Sequence, residues 1–166
     1  MKKKNAEEEF LDALAFAAIK HREQKDDNGN DYFAFHIIPV SQMCRILTND
    51  KDIMCAAILH DVLEDTKTTE AELRKEFGDK ITNLILELTH EGKADEHGYY
   101  FPRLKSKEAI MIKLLDRASN VSRMDAWDSD RQEHYLKKTK FWRSEPRKEH
   151  FAKEEAQKVL RLIKNG

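Results

Sequence analysis

The sequence of 166 residues contains few of the residues that sheets and tight hairpins use, with only four valines, five glycines and three prolines. Such a composition disfavours an all-β fold, because β-branched residues and turn formers are what strands and hairpins need. Only two cysteines occur, Cys44 and Cys55, and they form no Cys-x-x-Cys pair. This excludes a disulfide framework and favours a reduced, cytoplasmic protein.

The sequence also lacks long hydrophobic runs and an excess of charge of one sign. No apolar run approaches the roughly 18 residues that a membrane-spanning helix needs. The lysines at positions 2–4 are followed by Glu7-Glu8-Glu9 instead of an apolar stretch, so no secretory signal is expected. The 30 basic and 31 acidic residues nearly cancel, leaving a net charge of -1. Neither a membrane nor a nucleic acid is therefore the expected partner.

What the sequence does contain is helical periodicity along most of its length. Asn5 with Glu8 forms a capping pair ahead of a first helix that should reach about Gln24. The apolar stripe of this helix is expected to comprise Phe10, Leu11, Leu14, Ala15 and Ala18. Later helices are predicted at Pro39–Leu47, Lys51–Asp65, from Thr69 to Gly78, at 81–88, from Ser106 to Val121, at Arg131–Trp142 and at Pro146–Lys164. A polar turn at 26–31 and a loop at 90–105 separate some of them. Since no repeat or linker interrupts the pattern, residues 1–166 are predicted to form one all-α domain, a single helical bundle.

The most informative string is His60-Asp61 followed by Glu64-Asp65, directly after four apolar residues at 56–59. Residues three or four apart on a helix share a face, so His60, Asp61 and Glu64 can converge beside the core. Burying such groups is costly unless a metal or another partner satisfies them. Imidazole and carboxylate together suit a divalent transition ion such as Mn, Fe or Zn.

Two further candidate ligands stand next to apolar segments. His36 precedes the second predicted helix, and Asp116 follows the mostly apolar run at 110–115. Asn120 and Arg123 follow on the same helical face as Asp116. A lone His-Asp pair or a lone Asp is usually structural or exposed. The order His, His-Asp, Asp favours a metal site.

This order resembles that of the HD-domain metal phosphohydrolases, most closely the hydrolase domain of the RelA/SpoT-type proteins and the small alarmone hydrolases. The segments at 57–66 (AILHDVLEDT) and 113–120 (KLLDRASN) resemble the family's two most specific motifs, and His21 to Gln24 is similar to its His-x-x-Gln. The resemblance covers about residues 13–124 and implies an HD-type helical bundle.

The resemblance also implies a metal-dependent phosphohydrolase whose site residues can be named. The implied ligands of a divalent metal, most often Mn²⁺ with Fe or Zn as alternatives, are His36, His60, Asp61 and Asp116. The implied catalytic acidic pair is Glu64 and Asp65. The residues expected to contact a nucleotide substrate are Lys25, Asn120 and Arg123. The implied reaction removes the 3′-pyrophosphate from guanosine tetra- or pentaphosphate, and no synthetase activity is expected at this length.

The loop before the first metal histidine departs from the family pattern. Ile37 follows His36 where the family has Pro, and residues 30–33 (NDYF) replace the family's Gly-x-Pro-Tyr. Two alternatives therefore stay open. One is an HD nucleotidase acting on another nucleoside phosphate, and the other is a regulatory domain that binds metal and nucleotide without turnover. A helical interaction module with an accidental polar cluster fits the four-ligand order poorly.

Overall fold

Helices form almost all the regular secondary structure of the computed structural model, which describes residues 5–90, 92, 94–95, 98–99 and 103–138. In this part of the chain the helices are α1 (Ala6–Lys20), α2 (Ile38–Leu47), α3 (Lys51–Ile58), α4 (Val62–Asp65), α5 (Glu70–Leu88), α6 (Lys107–Val121) and α7 (Ser129–Lys138). A π-helical turn, Phe33–Ile37, leads into α2, and a 3₁₀ turn, Met124–Ala126, precedes α7. Two short strands, β1 (Ala94–Asp95) and β2 (Gly98–Tyr99), pair antiparallel. The prediction of an all-α bundle is confirmed, while the extent of one domain over 1–166 stays a prediction.

The core is built around α3, which contacts α1, α2, α5 and α6. Its buried residues include Cys55, Ala56 and Ala57, whose small side chains let four neighbouring helices approach closely. The apolar stripe predicted for 81–88 is also buried, at Ile81, Leu84, Ile85 and Leu88. None of the helices in the described part is long and apolar enough to cross a membrane.

Side-chain caps start the helices where the sequence predicts them. Asn5 and Glu8 form the full reciprocal capping box of α1. Thr69 and Ser106 accept hydrogen bonds from backbone N–H groups in the first turns of α5 and α6. The Glu72 carboxylate accepts a hydrogen bond from Lys20 Nζ at 2.8 Å, which ties the start of α5 to the end of α1.

The face that α1 buries differs from the predicted stripe. Leu11 is 59% exposed and Ala15 is also exposed, whereas Ala13 and Ala17 are completely buried. Phe10, Leu14 and Phe16 pack against the core from either side of this alanine face. The small residues form the centre of the interface because α1 lies close against α3. The helix also ends at Lys20, four residues before the predicted end at Gln24.

The helix predicted at Lys51–Asp65 is interrupted, so that prediction is wrong in one respect. α3 ends at Ile58 and α4 begins at Val62, with a turn between them. His60 and Asp61 therefore lie in this turn and not on the face of a continuous helix. Gly78 breaks α5 as predicted, with φ 75° and ψ 177° inside an otherwise helical segment.

The described part of the chain ends within the last predicted helices. α7 begins at Ser129, two residues before the predicted start at Arg131. The predicted end of that helix at Trp142 and the helix predicted at Pro146–Lys164 lie outside the described residues.

Candidate metal centre and substrate cavity

The four predicted metal ligands meet at one buried point, although three separate segments supply them. The π-helical turn supplies His36, the turn between α3 and α4 supplies His60 and Asp61, and α6 supplies Asp116. The Nε2 atom of His36 lies 3.2 Å from Asp61 Oδ2 and 3.4 Å from Asp116 Oδ1. The Nε2 atom of His60 lies 3.0 Å from Asp61 Oδ2 and 4.0 Å from Asp116 Oδ1. The ligand atoms of His36, His60 and Asp116 all lie within 4.8 Å of one another.

The two histidines are oriented by hydrogen bonds to their other ring nitrogens. Nδ1 of His60 lies 2.8 Å from the carbonyl oxygen of Ala57, which can only accept, so Nδ1 carries a proton and Nε2 presents a lone pair once the ring is neutral. Nδ1 of His36 lies 2.9 Å from the Ser119 hydroxyl. Both Nε2 atoms are buried and find no hydrogen-bond partner in the described part of the chain. This arrangement fits a divalent metal, because such outer hydrogen bonds are typical of metal-binding histidines.

The two aspartates of the cluster carry negative charge into the core. Asp61 accepts a hydrogen bond from Tyr32 Oη at 2.7 Å, and Asp116 lies 2.9 Å from Lys113 Nζ. Burial alone would raise the pKa of both carboxyl groups, but the neighbouring histidines and Lys113 hold each pKa below its usual range. Burial likewise lowers the pKa of His60, but the charges of Asp61 and Asp116 raise it to about 9.

The predicted acidic pair lies on α4, beside the cluster. Glu64 Oε1 accepts a hydrogen bond from the backbone N–H of His90 at 2.8 Å. Burial, reinforced by the charges of Asp61 and Asp116, raises the pKa of Glu64 to about 7. Asp65 Oδ2 accepts a hydrogen bond from Gln24 Nε2 at 2.8 Å, and desolvation raises its pKa. Glu64 is thus able to exchange a proton near neutral pH.

A cavity of about 140 Å³ adjoins the cluster and is lined by Lys25, Asp26, Asp27, Tyr32, Asn120, Arg123 and Trp127. It brings together all three residues expected to contact the substrate. Two of its lining residues also contact the His/Asp cluster. Tyr32 donates a hydrogen bond to Asp61, and Asn120 Nδ2 donates one to Asp116 Oδ1 at 2.8 Å. The cavity therefore lies next to the cluster, with Tyr32 and Asn120 between them.

Arg123 lies at this cavity but is held by protein groups. Its guanidinium donates to Asp26 Oδ2 at 2.8 Å, to Asn120 Oδ1 at 2.9 Å and to the carbonyl oxygen of Ser119 at 3.2 Å. Desolvation would raise the pKa of Asp26, but hydrogen bonds from Asn30 and Arg123 hold it below its usual value. Arg123 thus offsets the charge of Asp26, while the Lys25 side chain is exposed at the rim.

Sequence reasoning missed Asp27 and Trp127 as parts of the cavity wall. The indole N–H of Trp127 donates to Asp27 Oδ2 at 2.6 Å. The Arg131 guanidinium lies 4.1 Å from the centre of a ring of the same indole. Arg131 also donates to Asp27 at 2.8 Å. No local pattern pairs residues about a hundred positions apart, so the sequence offered no signal for this contact. Tyr32 did carry a signal, since it stands one helical turn before His36.

Comparisons with known proteins agree with this site. The family model described as HD domain matches residues 13–98. The human guanosine-3′,5′-bis(diphosphate) 3′-pyrophosphohydrolase MESH1 is 32% identical over 152 residues, which cover 77% of this chain and 79% of the human protein. The guanosine-3′,5′-bis(diphosphate) 3′-pyrophosphohydrolase of Aquifex aeolicus is 32% identical over 140 residues, or 80% of this chain. A solved structure titled as a metazoan ortholog of SpoT that hydrolyzes ppGpp superposes with a TM-score of 0.73 at 25% identity, over 99% of this chain and 98% of that one.

The relatives differ in length. This chain spans 20% of the Aquifex protein but 79% of human MESH1. The HD-domain match includes His36, His60 and Asp61, and HD-domain hydrolases bind divalent metals at sites of this kind. The chain therefore belongs to the HD-domain family of metal-dependent phosphohydrolases.

Proposed function

We propose that this chain is a guanosine-3′,5′-bis(diphosphate) 3′-pyrophosphohydrolase that acts in the cytoplasm. The observation that supports this proposal best is that Tyr32 and Asn120 line the cavity and also hydrogen-bond to the two aspartates of the His/Asp cluster. A nucleotide in the cavity would therefore have its phosphates close to the cluster. The MESH1 relatives, of whose length the match covers 78% and 79%, are named for this activity. Their names support the choice of substrate. Two buried free cysteines are consistent with a reducing compartment.

His36, His60, Asp61 and Asp116 would hold the metal, and two imidazoles with two carboxylates suit Mn²⁺, with Fe or Zn as alternatives. When bound, a divalent metal activates a water molecule and polarises the phosphoryl group under attack. Tyr32 keeps Asp61 oriented by its 2.7 Å hydrogen bond, and Lys113 does the same for Asp116.

In this proposal Glu64 is the general base and Asp65 supports it. A carboxyl group with a pKa of about 7 accepts a proton from water more readily at neutral pH than an ordinary glutamate does. Lys25 would contact the substrate phosphates at the rim, and Asn120 would contact the nucleoside. Arg123 would act mainly by neutralising Asp26, so that the cavity does not repel a polyanion.

The wall formed by Asp27 and Trp127 favours one alternative, an HD nucleotidase for another nucleotide. An exposed carboxylate and an indole change which base edges the cavity can accept, compared with a purely basic wall. A regulatory domain without turnover is the less favoured alternative, because both Glu64 and Asp65 are present beside the cluster.

The deciding experiment is a substrate panel for the Mn²⁺-loaded protein. It comprises guanosine and adenosine 3′-pyrophosphates together with ordinary nucleoside mono-, di- and triphosphates. Pyrophosphate release from guanosine 3′-pyrophosphates alone is the expected result. Orthophosphate release from monophosphates would instead indicate a nucleotidase, and nucleotide binding without turnover would indicate a regulatory domain. Glu64→Gln is the matched control, since it should retain the metal and lose about 10²- to 10⁴-fold in kcat.

A further inference from the structure

A chain of hydrogen bonds connects the buried end of α1 to Asp65. His21 follows the last residue of α1 and is completely buried, and its Nδ1 lies 2.6 Å from Gln24 Oε1. The amide nitrogen of the same Gln24 side chain donates to Asp65 Oδ2 at 2.8 Å. His21, Gln24 and Asp65 thus form one path from the core to the acidic pair.

The chemistry of the three groups fixes the direction of every bond in this path. The ionised Asp65 carboxylate can only accept, so the amide NH₂ of Gln24 must face it. The amide oxygen then faces His21, whose Nδ1 must carry the proton. The Asp65 carboxylate thus sets the orientation of the Gln24 amide, and the tautomer of His21 follows from it.

The backbone of this region is held independently of the Gln24 side chain. The Gln24 N–H donates to the His21 carbonyl oxygen at 2.9 Å, and the Gln24 carbonyl oxygen accepts from the Tyr32 N–H at 3.0 Å. The Asp65 N–H donates to the Asp61 carbonyl oxygen at 2.9 Å. Loss of the amide would therefore free the Asp65 side chain without releasing either segment.

We propose that Gln24 is a positioning residue that acts through Asp65. Asp65 is exposed, so its carboxylate would otherwise sample several rotamers. The Gln24 amide anchors one carboxylate oxygen and thereby directs the other, which orients the reacting water beside Glu64. This inference rests on the proposed function, in which Asp65 belongs to the catalytic pair.

The test is a double-mutant cycle of Gln24→Met and Asp65→Asn, measured with the substrate that the wild type hydrolyses. Met has the shape of Gln but donates no hydrogen bond. Gln24→Met is expected to lower kcat by about 10- to 100-fold and to leave KM within about twofold. In the Asp65→Asn background the same substitution should have a much smaller effect, because Asn can keep the hydrogen bond but lacks the carboxylate that Gln24 positions. An excess of enzyme over substrate and a long incubation allow the turnover of the slow variants to be measured.

The matched control is Gln42→Met, on the exposed face of α2, which should change neither constant. An unchanged kcat in Gln24→Met, a change confined to KM, or an equal loss in both backgrounds would each overturn the positioning role. If Asp65→Asn gives no measurable turnover, the split between kcat and KM in Gln24→Met decides alone. A wild type that hydrolyses no nucleotide would overturn the proposed function itself, which separates the two failures.

Discussion

At the residue scale, metal binding by the His/Asp cluster depends on which ring nitrogen each histidine directs toward the carboxylates. The Ala57 carbonyl oxygen fixes the proton of His60 on Nδ1, and the Ser119 hydroxyl contacts Nδ1 of His36. Both Nε2 atoms are thereby directed at the acidic groups. The cluster is therefore preorganised for a metal.

Loss of one cluster residue should abolish metal binding. His60→Ala and Asp116→Ala each remove a donor from a group whose atoms lie within 4.8 Å of one another. Elemental analysis of the purified protein should find about one divalent metal per wild-type chain and almost none in either variant. His134→Ala, at an exposed position on α7, is the control and should keep its metal. Full metal content in the two cluster variants would contradict the assignment.

Metal affinity should rise with pH. Burial lowers the pKa of His60, but Asp61 and Asp116 outweigh it and raise the pKa to about 9 in the metal-free protein. Below that pH the imidazole is protonated and must release its proton to bind a metal, so the apparent affinity should increase about tenfold per pH unit up to about pH 9. Titration calorimetry in two buffers of different ionisation enthalpy measures the released protons. An affinity that is constant between pH 6 and 8 would contradict the raised pKa of His60.

At the element scale, the interruption between α3 and α4 sets the geometry of the site. Nothing in residues 51–65 marks a break, since the segment contains neither Gly nor Pro. The break is accompanied by a local hydrogen bond from His60 Nδ1 to the Ala57 carbonyl oxygen and by the contacts of Asp61 with His36 and His60. The order of these residues predicted that they lie together, but not that His60 and Asp61 lie in a turn.

The kink in α5 lies at Gly78, and we expect that only glycine adopts its backbone conformation without strain. Its φ of 75° and ψ of 177° lie in a region that side chains rarely allow. An added Cβ would meet nothing within 4 Å, so the cost of Gly78→Ala is one of backbone strain and not of a clash. The free energy of unfolding, measured by urea denaturation, should fall by about 1–3 kcal/mol.

The control for this substitution is Glu76→Ala, at an exposed position just before the kink. It should change stability by less than about 0.5 kcal/mol. Equal stability of Gly78→Ala and the wild type would mean that α5 straightens without cost. Arg74 spans the kink by bonding Glu70 before it and Asp79 and Asn83 after it, so the bend is also stabilised from the surface.

At the scale of the whole molecule, a bound metal would connect segments that are distant along the chain. His36, Asp61 and Asp116 belong to three separate segments of the chain. No one of these segments supplies all four proposed ligands. Metal at 100 times its Kd should raise the free energy of unfolding by about 2.7 kcal/mol, provided that it binds only the folded state. Thermal denaturation with and without Mn²⁺ measures this effect. His60→Ala should show no such increase, and an equal increase in that variant would point to binding elsewhere.

The sequence predicted the helical class and the helix caps, because both depend on the spacing of residues that are close along the chain. It did not predict the buried face of α1, since packing against α3 favours small Ala13 and Ala17 over the larger Leu11. Nor did it predict the wall formed by Asp27 and Trp127, which depends on contacts that no local pattern encodes. This wall of the cavity is thus the part of the candidate site that the sequence describes least.

The contact between Asp27 and Trp127 also has a consequence for the order of folding. It closes a loop of 100 residues, and the neighbouring ion pair of Arg123 with Asp26 closes one of 97. Closing so long a loop costs more chain entropy than forming the contacts of α3 with α2. We therefore expect these two contacts to form after α2 and α3 have docked, and Trp127 fluorescence in a Trp142→Phe background should report that step during refolding.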